Sequence, residues 1–275
     1  MKYKIILPVI FVVFLSNCVK IDDKNENSLN ETTSLPDSNY CFYDGVVANE
    51  DYCDTVSING NISVKSGIVN IKKSETEILK FDLKSLTPDL ELKNFFYSDE
   101  NKFKLGNLEV SEKDYDYKAK IKFDEDNKDI YDYNIDDEWN IELGKDRINK
   151  LFIAVGIGEL NFDATGIYIP DMRIVCGAGI INLDLKNFDL KDDANMKIFG
   201  VLGRVSLDIS DQYPVLLKTS SGSIKRLEIE GLEKTSEGWV NSAYKKNSDL
   251  PVLTLDVTNK IGLVTINSEN GKNKK

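Results

Sequence analysis

The sequence predicts an all-β fold, a single-chain β-solenoid of stacked rungs. Period-two alternation of apolar and polar residues runs through most of the chain, as in Leu79-Lys-Phe81-Asp-Leu83, Ala119-Lys-Ile121-Lys-Phe123 and Leu253-Thr-Leu255-Asp-Val257. A short motif also recurs: Gly158-Glu-Leu160-Asn-Phe162-Asp163, Gly179-Ile-Ile181-Asn-Leu183-Asp184 and Gly203-Arg-Val205-Ser-Leu207-Asp208. Finally, little helical periodicity is present. Alternation turns one side chain inward and the next toward solvent. A repeat of short strands with glycine at the corners buries its inner face only when rungs stack.

In chain order, the first segment is a signal. Lys2 and Lys4 precede an apolar run from Ile5 to Leu15, and Leu15-Ser-Asn-Cys18 follows. This is the layout of a bacterial lipoprotein signal, with residues 1–17 removed and Cys18 lipidated (palmitate). The run is short of the roughly 20 apolar residues of a spanning helix. Asn17 departs from the Gly, Ala or Ser usual before a lipidated cysteine. An ordinary secretory signal or an uncleaved anchor are the alternatives. The expected location is the bacterial cell envelope, outside the cytoplasm, on an unassigned leaflet.

Residues 18–54 read as a lipidated tether, because Val19 to Tyr40 holds few large apolar residues. Cys41 and Cys53 lie close together outside the reducing cytosol and are expected to form a disulfide, worth about 3 kcal/mol. Residues 55–138 read as an N-terminal β extension, 139–267 as the solenoid and 268–275 as a disordered tail. Gly262-Leu-Val264-Thr-Ile266 is a degenerate closing copy of the repeat. Ile167-Tyr-Ile169, Met172-Arg-Ile174 and Met196-Lys-Ile198 are strand-like segments between the copies. Cys176, in an apolar run, reads as a small buried residue.

Composition narrows the chemistry. The net charge is −11 and there is no histidine. Phosphates repel an acidic chain, so nucleic acid is not an expected partner. Absence of histidine removes Ser-His-Asp and Cys-His machinery and every His-ligated metal site. No cofactor or metal is expected, and the protein reads as non-enzymatic. Gly156-Ile-Gly158 and Gly177-Ala-Gly179 lack the third glycine of a dinucleotide fingerprint and read as corners. Asp124-Glu-Asp126-Asn-Lys128 fails as a calcium loop at Lys128. Asp136-Asp137-Glu138 and Asp192-Asp193 read as turn chemistry and solvated charge. Tyr115, Tyr117, Tyr131 and Tyr133 fall in an acidic stretch that reads as edge strands or a binding edge.

Asp163, Asp184 and Asp208 recur at one rung position. Stacking aligns them into a column that is either an outward polar row or the paired carboxylates of a carbohydrate-active β-helix.

The run Leu151-Phe-Ile-Ala-Val-Gly-Ile-Gly-Glu-Leu-Asn-Phe-Asp163 carries a family resemblance, with Met172 to Leu185, Gly203 to Ile209, Gly238 to Tyr244 and Ile261 to Ile266 in order after it. These segments resemble the toast-rack, or LiaF-like C-terminal, domain of bacterial cell-envelope proteins, over about 139–267. The resemblance implies a β-solenoid with no catalytic residues to carry over, and a part in envelope-stress sensing or regulation. In the regulators this domain is joined to transmembrane helices and modulates a sensor kinase; here a lipid stands in their place. The expected partners are a membrane through Cys18 and another envelope protein. A surface adhesin is the other non-enzymatic alternative.

Overall fold

A computed structural model describes residues 41–47, 58–85, 96–99, 102–106, 137–144, 148–220, 226–246 and 249–269. The strands are β1 (Cys41–Val47), β2 (Ile58–Ser74), β3 (Leu79–Ser85), β4 (Phe96–Asp99), β5 (Lys102–Leu105), β6 (Glu138–Gly144) and β7 (Ile148–Asp163). They continue as β8 (Asp171–Asp184), β9 (Ala194–Ser210), β10 (Val215–Thr219), β11 (Arg226–Glu230), β12 (Glu233–Lys234), β13 (Trp239–Val240) and β14 (Leu253–Glu269). All join one 14-stranded sheet. Among the described residues the single helix is α1 (Ser242–Lys246), one turn long. The predicted all-β solenoid is the fold observed.

Five long parallel strands, β2, β7, β8, β9 and β14, form the stack. Their glycines fall in one register row, Gly67, Gly158, Gly179, Gly203 and Gly262, all at positive φ. Each strand has two arms that meet at this row. L-residues avoid such φ values, and a side chain here would strike the strand below. The arms' inward rows are apolar. Ile62, Ile153, Ile174, Ile198 and Val257 line one arm, and Ile71, Phe162, Leu183, Leu207 and Ile266 line the other, all buried.

Return loops complete the enclosure. Ile167 and Ile169 are buried, but in a loop rather than the strand their alternation predicts. Ile167 N donates to Ala164 O at 3.0 Å in its own turn, Ile167 O accepts from Asp189 N of the next return loop at 3.1 Å, and neighbouring turns and strand ends are tied in the same way. Ala164 N donates to Asp184 O at 2.9 Å, Gly166 N to Asn187 O at 2.8 Å, and Leu185 N to Asp208 O at 2.8 Å.

Both ends of the stack close in the same way. Below β2, β5 pairs with one arm (Asn59–Ile62) and β6 with the other (Ile68–Ser74). Above β14, β10 covers Leu253–Val257 and β11 covers Leu263–Asn267. A bent rung thus meets two separate short strands at each end, which satisfies its backbone without another bent strand.

β2 belongs to the stack in every respect. Gly67-Ile-Val-Asn-Ile71 is a further copy of the repeat, in register with Gly158-Glu-Leu-Asn-Phe162. The sheet runs unbroken from the residues read as extension into those read as solenoid. Asp137 also differs from its sequence reading as solvated charge. It is buried and accepts a hydrogen bond from Ser85 Oγ at 2.7 Å, while its backbone carbonyl accepts from Ile68 N at 2.8 Å.

Candidate interaction surface

The outward rows beyond the glycine corner carry the polar chemistry. Three positions after each glycine stand Asn70, Asn161 and Asn182, then Ser206 and Thr265, side by side in register. The amides form a directed chain. Asn182 Nδ2 donates to Asn161 Oδ1 at 2.8 Å, Asn161 to Asn70 at 3.1 Å, Asn70 to Asn140 at 2.9 Å, and Asn140 to Asp82 Oδ1 at 3.0 Å. Strands lie about 4.8 Å apart, a spacing one Asn side chain bridges. Asn161, Asn70 and Asn140 each use one N–H and one lone pair within the chain, while Asn182 heads it and also donates to Glu159 Oε1 at 3.0 Å.

The next outward row is the predicted Asp column. Asp163 lies in register with Asp184, and Asp184 with Asp208. Amides and carboxylates together line a groove of about 780 Å³, which Lys72, Lys80 and Glu142 also border. The three carboxylates already have local work. Asp163 Oδ1 accepts from Thr165 N at 2.9 Å and Asp184 Oδ1 from Lys186 N at 3.0 Å, so each closes the turn that follows its strand. Lys186 Nζ lies 3.2 Å from Asp184 Oδ2, and Asp208 Oδ1 accepts from Asn267 Nδ2 at 3.0 Å. These contacts use the acids as turn caps and rung ties.

Sequence reasoning missed the amide chain, although its signal is visible in the fixed Gly-x-x-Asn spacing. Arg173, Arg204 and Arg226 stand on different strands, and Arg226 pairs with Glu228 at 2.6 Å. Asp192 and Asp193 are exposed, and Asp193 Oδ1 accepts from Val252 N at 2.8 Å. Cys176 is buried beside Gly200 in the interior, and burial pushes its thiol up to about 11. Cys18, Cys53, Tyr115, Tyr117, Tyr131, Tyr133 and the Asp124–Lys128 segment lie outside the described residues. Cys41 opens β1, its backbone opposite Ser85. Among the described residues no helix is long and apolar enough to cross a membrane.

A glycine-cornered parallel stack with a hydrogen-bonded polar face defines a β-solenoid domain. The chain belongs to the toast-rack family: the family described as the N-terminal domain of toast_rack, DUF2154, matches residues 24–208. That match starts and ends earlier than the 139–267 segment on which the resemblance rests. Comparison with curated proteins gives no match. Among solved structures, the chain is similar to a "putative cell adhesion protein" from Clostridium sporogenes, with a TM-score of 0.63 and 17% identity. The likeness covers 83% of this chain and 99% of that one, and it shows the shared fold.

Proposed function

We propose that this protein is a non-catalytic cell-envelope module, anchored to a membrane through lipid on Cys18, that presents its polar face to another envelope protein. Toast-rack membership is the observation that carries this reading. The charged, apolar and cysteine layout of residues 1–18 supports the anchor. The amide row supports the contact role, because it offers evenly spaced donors and acceptors already ordered before a partner arrives. A Cys41–Cys53 disulfide would staple the entry to the domain. The partner in this reading is an envelope-stress sensor or an enzyme of the envelope.

Crosslinking mass spectrometry on intact cells tests the reading, with membrane fractionation of wild type and Cys18→Ala in parallel. The expected result is recovery of one specific envelope protein, and release of folded Cys18→Ala from the membrane pellet. A variant that stays in the pellet contradicts the anchor. Recovery of abundant neighbours alone contradicts the specific partner.

A second reading, carbohydrate cleavage, is favoured by one observation: Asp163, Asp184 and Asp208 share a groove. It predicts that Asp184→Asn abolishes release of reducing ends from envelope polysaccharide. Against it stands the use of all three carboxylates in turn and inter-rung bonds.

A further inference from the structure

A second groove, of about 450 Å³, lies at the β14 end of the stack and shares no lining residue with the first. Trp239 on β13 lies between Leu217 of β10 and Lys234 of β12 in the sheet register. Its indole packs partly on the core and partly lines the groove. Lys234 Nζ stands over the ring, 5.7 Å from its centroid. Lys218 and the hydroxyl-bearing Thr219 and Ser236 line the same groove.

The groove's two lysines keep their charges free of carboxylates. Lys72, Lys150, Lys186 and Lys245 each reach a carboxylate in this acidic protein. Lys218 and Lys234 form no ion pair among the described residues. Glu237 also borders the groove, and its carboxylate accepts a hydrogen bond from the Tyr244 hydroxyl at 3.1 Å. Gly238 keeps the hairpin tight, since a Cβ there would lie 2.3 Å from Leu217 O.

We infer that this groove binds a saccharide bearing a carboxylate. An indole face suits the apolar C–H face of a sugar ring, because the aromatic quadrupole attracts the polarised C–H edge. Hydroxyls and backbone at the rim answer the sugar's hydroxyls, and unpaired ammonium groups answer its acid. The volume suits one or two sugar rings, within the roughly 300–1,000 Å³ range of small-ligand sites. A neutral sugar would leave Lys218 unanswered and Lys234 with the indole alone, and a bare anion would leave the indole unused. The inference does not depend on lipidation or on the partner of the amide face.

Calorimetry on the full chain tests it. The probes are sialyllactose, for a cell-surface glycan, and N-acetylglucosaminyl-N-acetylmuramic acid, for a cell-wall glycan. Lactose and chitobiose are the neutral controls. The expected result is saturable binding of at least one acidic probe, about tenfold or more tighter than its neutral counterpart. Whichever acidic probe binds identifies the source. The double variant Lys218→Gln, Lys234→Gln is expected to weaken binding about tenfold, and Trp239→Ala to remove it. Absence of heat with both acidic probes overturns the inference. So does unchanged affinity in the double lysine variant, whose exposed positions leave the core untouched even if Trp239→Ala fails to fold.

Discussion

The carbonyl oxygen of Gly158 fills the space that a side chain on Gly179 would need: a Cβ there would lie 1.7 Å from it. The same relation repeats from Gly179 to Gly203 and from Gly203 to Gly262, each at 1.8 Å. Backbone packed against backbone at every corner is what lets bent strands stack in one register.

Gly179→Ala is therefore expected to destabilise the domain by about 3 kcal/mol or more. The positive φ alone costs about 1–2 kcal/mol, and displacing a backbone carbonyl adds to it. Gly166→Ala is the contrast. Its φ is +67, but the nearest atom is Lys73 Cδ at 3.2 Å, on a side chain able to move, so about 1 kcal/mol is expected. Denaturant unfolding of the two variants checks the difference.

Asn161→Ala breaks the amide chain in the middle. It removes the bond donated to Asn70 and the one accepted from Asn182, whose amide keeps its bond to Glu159 Oε1, at an expected cost of about 1–2 kcal/mol. A double-mutant cycle with Asn182→Ala should give a coupling of about 0.5–1.5 kcal/mol. Additive effects would show that the row is only a set of solvated amides.

Asn241→Ala is expected to cost more, about 2–4 kcal/mol. The side chain is buried and makes four bonds. Its Oδ1 accepts from Val215 N and from Tyr244 N, each at 3.0 Å, and Nδ2 donates to Ser210 O at 3.0 Å and Tyr213 O at 2.8 Å. It caps α1 and ties β9, β10 and β13 together. Thermal unfolding should show the loss, and hydrogen exchange should rise first around Val215.

Cys176 gives a pH dependence. Its thiol titrates at about 11 when folded, above its ordinary value of 9.0. Between these values the unfolded chain releases a proton that the folded chain retains, so stability falls as pH rises. The contribution is full below about pH 9 and lost by about pH 11, a change of about 2–3 kcal/mol. Cys176→Ala should flatten that part of the stability profile. A thiol reagent at neutral pH should label Cys176 only after denaturation.

Much of this architecture is legible in the sequence because alternation and a repeated glycine report directly on inward faces and corners. Gly158, Gly179, Gly203 and Gly262 were readable as corners for that reason. Gly67 was not, because Lys72 and Lys73 follow its copy and blur the alternation where β2 leaves the stack. Ile167 and Ile169 alternate like a strand, yet bonds between neighbouring return loops replace the ladder there. The Asp column follows from the repeat, but the use of Asp163 and Asp184 as turn caps depends on Thr165 and Lys186 N–H groups whose direction no periodicity encodes. Trp239 and Lys234 are only five residues apart, and hairpin pairing, not spacing, sets them together.

Disulfide trapping of Ser206→Cys with Thr265→Cys, in a Cys176→Ala background, tests the stacked register most directly. These positions are far apart in the chain but face each other across β9 and β14. Mild oxidation followed by peptide mapping should give an intramolecular disulfide for this pair, faster than for Ser206→Cys with Asn267→Cys. Faster closure of the shifted pair, or no intramolecular closure in either, would contradict the glycine-registered stack.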